Sequence, residues 1–388
     1  MRQARRTILR ATACAALAVP LARAAVAQAA PAAAVAAPVL RVLQCVDPDP
    51  SQQEHVRDFV AGLQVAFKST RRSGGPLVQA VQMACDGTPE AVAAVGRRLA
   101  ADDGLLALVG TPTERASLAC LRLADAGAIA HIAPWLPDTA QDHLGQVANL
   151  FASRDEQLRQ SIAALASMGL AQLGVVFEST ATRDIVAPGV GRALAAARLR
   201  APLWSPAPGA GIEQLVASLP DDAPAVLAFA GGAIELSRFM RALASRSSAR
   251  MVLSLNAVDQ GLLQQLGAAR EQPLMLAQTV PNPARASLPL VRQFRDLHAQ
   301  LFDDAPSTSG LAGFIAGRYT LWLLERLPPA PTRRQLLDEL QRRQPVDLDG
   351  YELSFRPGRN RGSSYVALTM LTREGRLIGQ APGRRSLL

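Results

Sequence analysis

Lysine is almost missing from this chain. Lys68 stands alone among 388 residues, although lysine and arginine together number 41. Arginine thus carries nearly all the positive charge, which reads as a compositional bias of the source genome and not as phosphate recognition. Aromatic residues make up only 4%, and no run of five basic residues occurs. Nucleic acid is therefore not an expected partner, since neither stacking surfaces nor a basic tract is present. Four cysteines in 388 residues exclude a small disulfide scaffold. No C-x-x-C or H-x-x-x-H spacing appears, so no metal site is expected. G-x-G-x-x-G after a strand, G-x-x-x-x-G-K-[ST] and G-x-S-x-G are all lacking too. Those absences argue against a nucleotide-dependent enzyme or a serine hydrolase, and no cofactor is expected.

What is present is apolar and globular. At 49% hydrophobic and 19% charged, the chain is neither disordered nor collagenous, and its length allows two or three domains with substantial cores. Five arginines (Arg2, Arg5, Arg6, Arg10 and Arg23) fall in the first 30 residues, which hold no acid, so over half of the net charge of +9 is N-terminal. A basic stretch, an uncharged apolar run over 11–22 and small-x-small sites around Ala25–Ala29 together predict an export signal peptide over 1–30. A membrane anchor is the alternative, but Arg23 ends the run short of the roughly 20 residues a span requires. The Arg5-Arg6 pair leaves a twin-arginine route open beside the general one. The expected location is the periplasm. After cleavage Cys45, Cys85 and Cys120 remain, which allow one disulfide with one free thiol, or none.

The body alternates strand and helix patterns. Apolar runs at 40–46, 78–85, 105–109 and 128–133 read as strands. Between them, Val56, Phe59, Val60, Leu63 and Phe67 recur at helical spacing. Thr88-Pro89 starts a second helix as cap and first residue, and a third runs from about Thr113 to Ala126, stopped by Gly127. Ser153-x-x-Glu156 predicts a capping box opening a helix with Leu158, Ile162 and Leu165 inward. Further strands are expected at 173–177, 225–230, 251–255 and 274–280, then helices near 287–302, 308–327 and 332–343. Antiparallel strands at 351–355 and 365–371 follow. Such alternation predicts an α/β fold with mainly parallel sheets covered on both faces. Joints are expected where a second βα series begins near 151, and at Pro281-Asn282-Pro283, where two prolines interrupt helix and sheet alike.

Several strings together resemble a known family. They include Leu108-Val-Gly-Thr-Pro-Thr-Glu-Arg-Ala-Ser-Leu118, Ala126-Gly-Ala-Ile-Ala-His-Ile-Ala-Pro134 and Asp58-Phe-Val-Ala-Gly-Leu-Gln-Val-Ala-Phe67. Ala84-Cys-Asp-Gly-Thr-Pro-Glu90, Met168-Gly-Leu-Ala-Gln-Leu-Gly-Val-Val-Phe177, Gly313-Phe-Ile-Ala-Gly-Arg318 and Pro357-Gly-Arg-Asn-Arg-Gly-Ser363 extend the match. In their order and spacing they resemble the type I periplasmic binding proteins, in particular the leucine/isoleucine/valine-binding branch that serves ABC transporters. The resemblance implies two lobes, 38–150 with 284–345 and 151–280 with 346–380, joined by crossings near 151, 281 and 346. It further implies a monomer that closes on a small polar or carboxylated, amino-acid-like molecule and presents it to a membrane permease, without catalysis.

The same resemblance supplies the candidate site. Thr111 and Thr113 match the turn where the family binds a ligand carboxylate, and Trp135 and Leu136 occupy the next turn. Glu178, Gly232 and Asn256 follow strand ends in the second half, with Asp47 and Arg154 as lesser candidates. Each has a plainer reading as well: helix caps for the threonines, packing within its own lobe for Trp135, a solvated acid for Glu178, a solvent-facing first turn for Arg154. The second half lacks the acid and tyrosine that would pair a ligand ammonium group at the family's usual place, which leaves the ligand open. A sensing protein that reports to a receptor would share this fold, and an α/β enzyme is the remaining alternative.

Overall fold

Strand β1 (Val39–Val46) sits inside a five-stranded sheet with β2 (Leu77–Ala84), β3 (Leu105–Val109), β4 (Ala130–Ile132) and β5 (Val147–Ala148). This computed structural model describes residues 38–379 apart from 71–74, 247–249, 255–262, 264–265, 268–271, 373 and 375. The strand order is β2-β1-β3-β4-β5, and every neighbouring pair is parallel. All five residues of β3 are buried, as a parallel strand covered on both faces requires. The crossovers are α1 (Gln53–Ser69), α2 (Pro89–Ala101) and α3 (Glu114–Ala126). The Thr88 hydroxyl caps α2 by accepting from the Ala91 N–H, with Pro89 at the first helical position, as the sequence predicts.

A second sheet follows the chain's first crossing. Helix α4 (Arg154–Ser167) leads to β6 (Gly174–Phe177), α5 (Thr180–Ala197), β7 (Leu203–Trp204), α6 (Ile212–Ser218), β8 (Val226–Ala230), α7 (Ala233–Ser245), β9 (Met251–Ser254) and β10 (Leu274–Gln278). Leu158, Ile162 and Leu165 of α4 point inward, as their spacing predicts. Only half of the expected capping box forms. Ser153 Oγ accepts from the Glu156 N–H at 3.2 Å, but the Glu156 carboxylate turns to Arg159 and Gln160. A complete box closes a different helix, at Thr332 and Gln335.

After residue 283 the chain returns to the first sheet as α8 (Pro289–Ala299), α9 (Thr308–Leu324) and α10 (Arg333–Gln341). Helix α9 is buried along most of its surface, Arg318 excepted, and lies against α1, in a core with Phe59, Leu63, Phe294, Phe314 and Tyr319. Burying each such side chain contributes about 1.5–3 kcal/mol. Glycines set the approach: a Cβ on Gly313 would run into the Phe59 carbonyl, and one on Gly62 into the Gly310 carbonyl.

The C-terminal strands pair differently from the sequence expectation. Strand β12 (Tyr351–Leu353) forms a hairpin with β11 (Val346–Leu348), not with 365–371. Its turn is Asp349-Gly350, with φ of 49° and 94°, the left-handed pair that a tight hairpin needs. The hairpin's Val346, Leu348, Tyr351 and Leu353 enter the same core as α1 and α9, whereas the sequence reading grouped 346–380 with the second half. Asn149 and Arg361 then bridge, and β13 (Ala367–Leu371) joins the second sheet antiparallel to β10, with β14 (Leu377–Ile378) at its edge. That sheet runs β14-β13-β10-β9-β8-β6-β7. Among the described residues no helix is long and apolar enough to cross a membrane. Cys45, Cys85 and Cys120 are buried free thiols in one apolar cluster, the no-disulfide arrangement of those left open above. Mutual S–H hydrogen bonding, followed by burial, raises the Cys85 thiol.

Candidate ligand-binding site

In each sheet the strand order reverses at one point, and there the loops at the strands' carboxyl ends splay apart. In the first sheet this point lies between β1 and β3. Asp47, just past β1, receives the Thr113 hydroxyl at 3.2 Å and the Arg115 Nε at 3.0 Å on one oxygen, and Arg115 Nη2 at 2.5 Å on the other. Thr113 occupies the N-cap position of α3 but makes no side-chain cap. Its hydroxyl donates a hydrogen bond to the Asp47 carboxylate instead. Asp49 lies 3.6 Å from Arg115, and backbone and hydroxyl donation from Ser51 holds its carboxyl below the ordinary range.

The loop after β4 builds the next stretch of wall. Trp135 is fixed through its backbone N–H, which reaches the Thr111 carbonyl (3.0 Å) and Ser117 Oγ (2.9 Å). Its ring stands edge-on to His55 at 5.2 Å and tilted to Phe151 at 5.5 Å. His55 Nε2 lies 2.8 Å from the Pro112 carbonyl, an acceptor only, so Nε2 carries the proton. Arg154 sits between Asp138 (3.0 Å) and Glu114 (3.6 Å). Burial raises the Glu114 carboxyl, with the Arg154 charge opposing that shift. Below them Arg361 holds the Asp142 carboxylate with two N–H groups and donates to the carbonyls of Leu136, Asp138 and Phe151.

The second sheet reverses between β6 and β8. Glu178, after β6, accepts the Gly232 N–H at 2.8 Å and the Thr182 hydroxyl at 2.9 Å. Gly232 is the N-cap of α7 and brings no side chain of its own, so the Glu178 carboxylate stands at that helix start, with Glu235 in its first turn. Gly231, Gly232, Ala233, Ile234, Glu235 and Thr279 face Asp47, Asp49, His55, Thr113, Trp135 and Arg154 across one cavity of about 470 Å³. That size suits a small organic ligand. Among the described residues no group of three or more His, Cys, Asp or Glu side chains could hold a metal.

The sequence profile of the periplasmic binding protein family matches residues 51–376. The chain belongs to that family. A search of curated proteins finds no match. Solved structures repeat the fold at low identity. A substrate-binding periplasmic protein from Ralstonia solanacearum aligns at 23% identity and TM-score 0.73, covering 88% of this chain and all of that one. A leucine-binding protein from Thermotoga maritima aligns at 15% and 0.74, covering 88% and 98%. The branched-chain amino acid transporter substrate-binding protein of Streptococcus pneumoniae, solved with isoleucine, aligns at 13% and 0.70, covering 88% and 98%. The architecture is accordingly the two-lobed type I fold, with mainly parallel sheets flanked by helices.

Of the residues the sequence singles out in this periplasmic binding protein, Asp47, Thr113, Trp135, Leu136, Arg154 and Gly232 line the cavity. Thr111 does not. It is fully buried and its hydroxyl bonds His131. Glu178 is also absent from the lining and instead holds the Gly231-Gly232 turn in place. Asn256 lies outside the described residues. The plainer readings of Arg154 and Thr113 fail: the arginine side chain is only 13% exposed, and the threonine hydroxyl is not a cap. Sequence reasoning missed His55, Asp49, Arg115, Glu235 and Arg361. Arg115 and Arg361 stand inside strings quoted for the resemblance, but no local pattern marks which carboxylate each one meets.

Proposed function

We propose that this protein is an extracytoplasmic solute-binding protein. It captures a small polar, amino-acid-like molecule by closing its lobes and delivers it to the permease of an ABC importer. The observation that carries the reading is a cavity lined by carboxyl-end loops of both sheets, because only a ligand touching both walls can bias an open–closed equilibrium. Three connections link the halves, near 151, near 281 and after Gly362, and so provide the hinge. Residues 1–30 would act as the export signal and place the mature protein in the periplasm. The chain carries its ligand unchanged.

The test pairs calorimetry with solution scattering. A panel of amino acids, organic acids and amines is titrated into the mature protein, and the radius of gyration is measured with and without each binder. Saturable binding of a small molecule with a fall in radius is expected. Turnover of any bound compound, or binding without compaction, would overturn the reading.

A further inference from the structure

The ionic groups around the cavity answer one another. On the first wall Asp47 and Asp49 pair with Arg115, Glu114 with Arg154 and Asp142 with Arg361; on the second, Glu235 pairs with Arg238. Two hydroxyls of the lining are committed as well, Ser51 to Asp49 and Thr113 to Asp47. Backbone donors are scarce along the loop after β4. Pro134 and Pro137 have no N–H, and the N–H groups of Trp135 and Leu136 reach the carbonyls of Thr111 and Pro134.

Thr279 is left over. It stands just past β10, in the second connection between the halves, and lines the cavity. The residue is only 6% exposed, yet its hydroxyl has no hydrogen-bond partner among the described residues. It is also not one of the polar atoms sealed from space, as the Asn149 and Gln157 amide oxygens are. The surface it keeps therefore opens on the cavity. An unpaired hydroxyl in so enclosed a place costs folding energy, and a ligand group that bonds to it offsets that cost.

Ile234 is the second group without a use inside the protein. Isoleucine is among the residues most often fully buried, but this one is 51% exposed on the wall that α7 builds. Trp135 borders the same cavity from the opposite wall.

Resting on the solute-binding reading, we infer that Thr279 is a ligand-contacting residue. Its hydroxyl holds a hydrogen-bonding group of the ligand beside the hinge, while Ile234 packs on an apolar part of the same molecule. The ligand is thus amphipathic, and part of its recognition is by neutral groups. Placed in a connection between the halves, the Thr279 contact forms where the lobes pivot.

Leucine, isocaproamide, isocaproate, isoamyl alcohol and isoamylamine share an apolar part and differ in the polar group. Each is titrated by calorimetry into the wild-type protein, Thr279→Val, Thr279→Ser and Ile234→Ala, and all four proteins are unfolded in urea without ligand. At least one probe should bind the wild type. Thr279→Val should weaken that probe about fivefold or more, Thr279→Ser should keep most of the affinity, and Ile234→Ala should weaken it about fivefold. Without ligand Thr279→Val should be as stable as the wild type or more so, because valine keeps the shape and no internal hydrogen bond is lost. A threonine with a purely structural role would show the reverse, stability lost and affinity kept, and that result would overturn the inference. So would a Thr279→Val protein that fails to fold, or a probe bound equally well by the wild type and both Thr279→Val and Ile234→Ala, which leaves solute binding intact. Silence from all five probes would overturn the inference too, while the wider panel above decides the solute-binding reading separately.

Discussion

The Thr111 hydroxyl lies 3.0 Å from Nε2 of His131, and neither side chain is exposed at all. The pair fastens the middle of β4 to the turn after β3, which explains why Thr111 supports the cavity wall without lining it. Burial pushes the His131 imidazole down to about 3 from the ordinary 6.5, so it is neutral in the folded protein.

A pH dependence follows from that shift. Between pH 6.5 and about 3 the unfolded chain binds a proton at His131 that the folded protein does not. Stability should therefore fall as pH drops through this window, by at most about 1.4 kcal/mol per unit from this one group. Urea unfolding of the wild type and of His131→Gln at several pH values checks it. The variant should lose stability less steeply on acidification, and parallel slopes would reject the assignment. His298, lowered by burial, contributes in the same direction to both proteins and cancels in the comparison.

Trp135→Ala should weaken ligand binding by about tenfold or more, since the ring supplies a large apolar face at modest entropy cost. The residue is half-buried and anchored by its backbone N–H, which the variant keeps. Loss of stability should stay near 1–2 kcal/mol, below a full core deletion. Calorimetry beside thermal unfolding separates the two effects, and unchanged affinity would remove Trp135 from the site.

Arg361→Met should destabilise the protein by about 3–5 kcal/mol, because it strands the Asp142 carboxylate in a buried setting. Both side chains are at most 10% exposed, and the guanidinium also serves three carbonyls. The double variant with Asp142→Leu should recover part of that loss. Chemical denaturation of the two single variants and the double supplies the cycle. Additive losses would show that the pair does not act as a unit.

Gly313→Ala should lose roughly 1–3 kcal/mol despite alanine's higher helix propensity, since overpacking outweighs that gain of about 1 kcal/mol. The added methyl group meets the Phe59 carbonyl, a backbone atom of α1 that cannot rotate away. Urea midpoints of the two proteins give the answer, and a stabilised variant would mean that α1 and α9 do not pack at this close distance.

The three-residue strands and the C-terminal pairings were the least legible elements. Strand β11 holds only Val346, Asp347 and Leu348, too few for periodicity to register, although Asp349-Gly350 is a recognised hairpin signal. The candidate site was legible in outline through the resemblance, and its partners were not. Arg361 and Asp142 are separated by 219 residues, and Arg115 and Asp47 by 68, so no window of sequence holds both members of either pair.

The sequence alone determined the alternation of strand and helix, the Thr88 cap, the inward stripe of α4 and the family to which the fold belongs. These depend on neighbours within one or two turns, where side-chain spacing and backbone preference act directly. Only the tertiary structure decided that Thr113 serves Asp47, that Thr111 turns to His131 and that Glu178 holds Gly232. A polar side chain at a strand end has several hydrogen-bond partners within reach, and the choice among them falls to whatever distant loop the sheet order brings alongside.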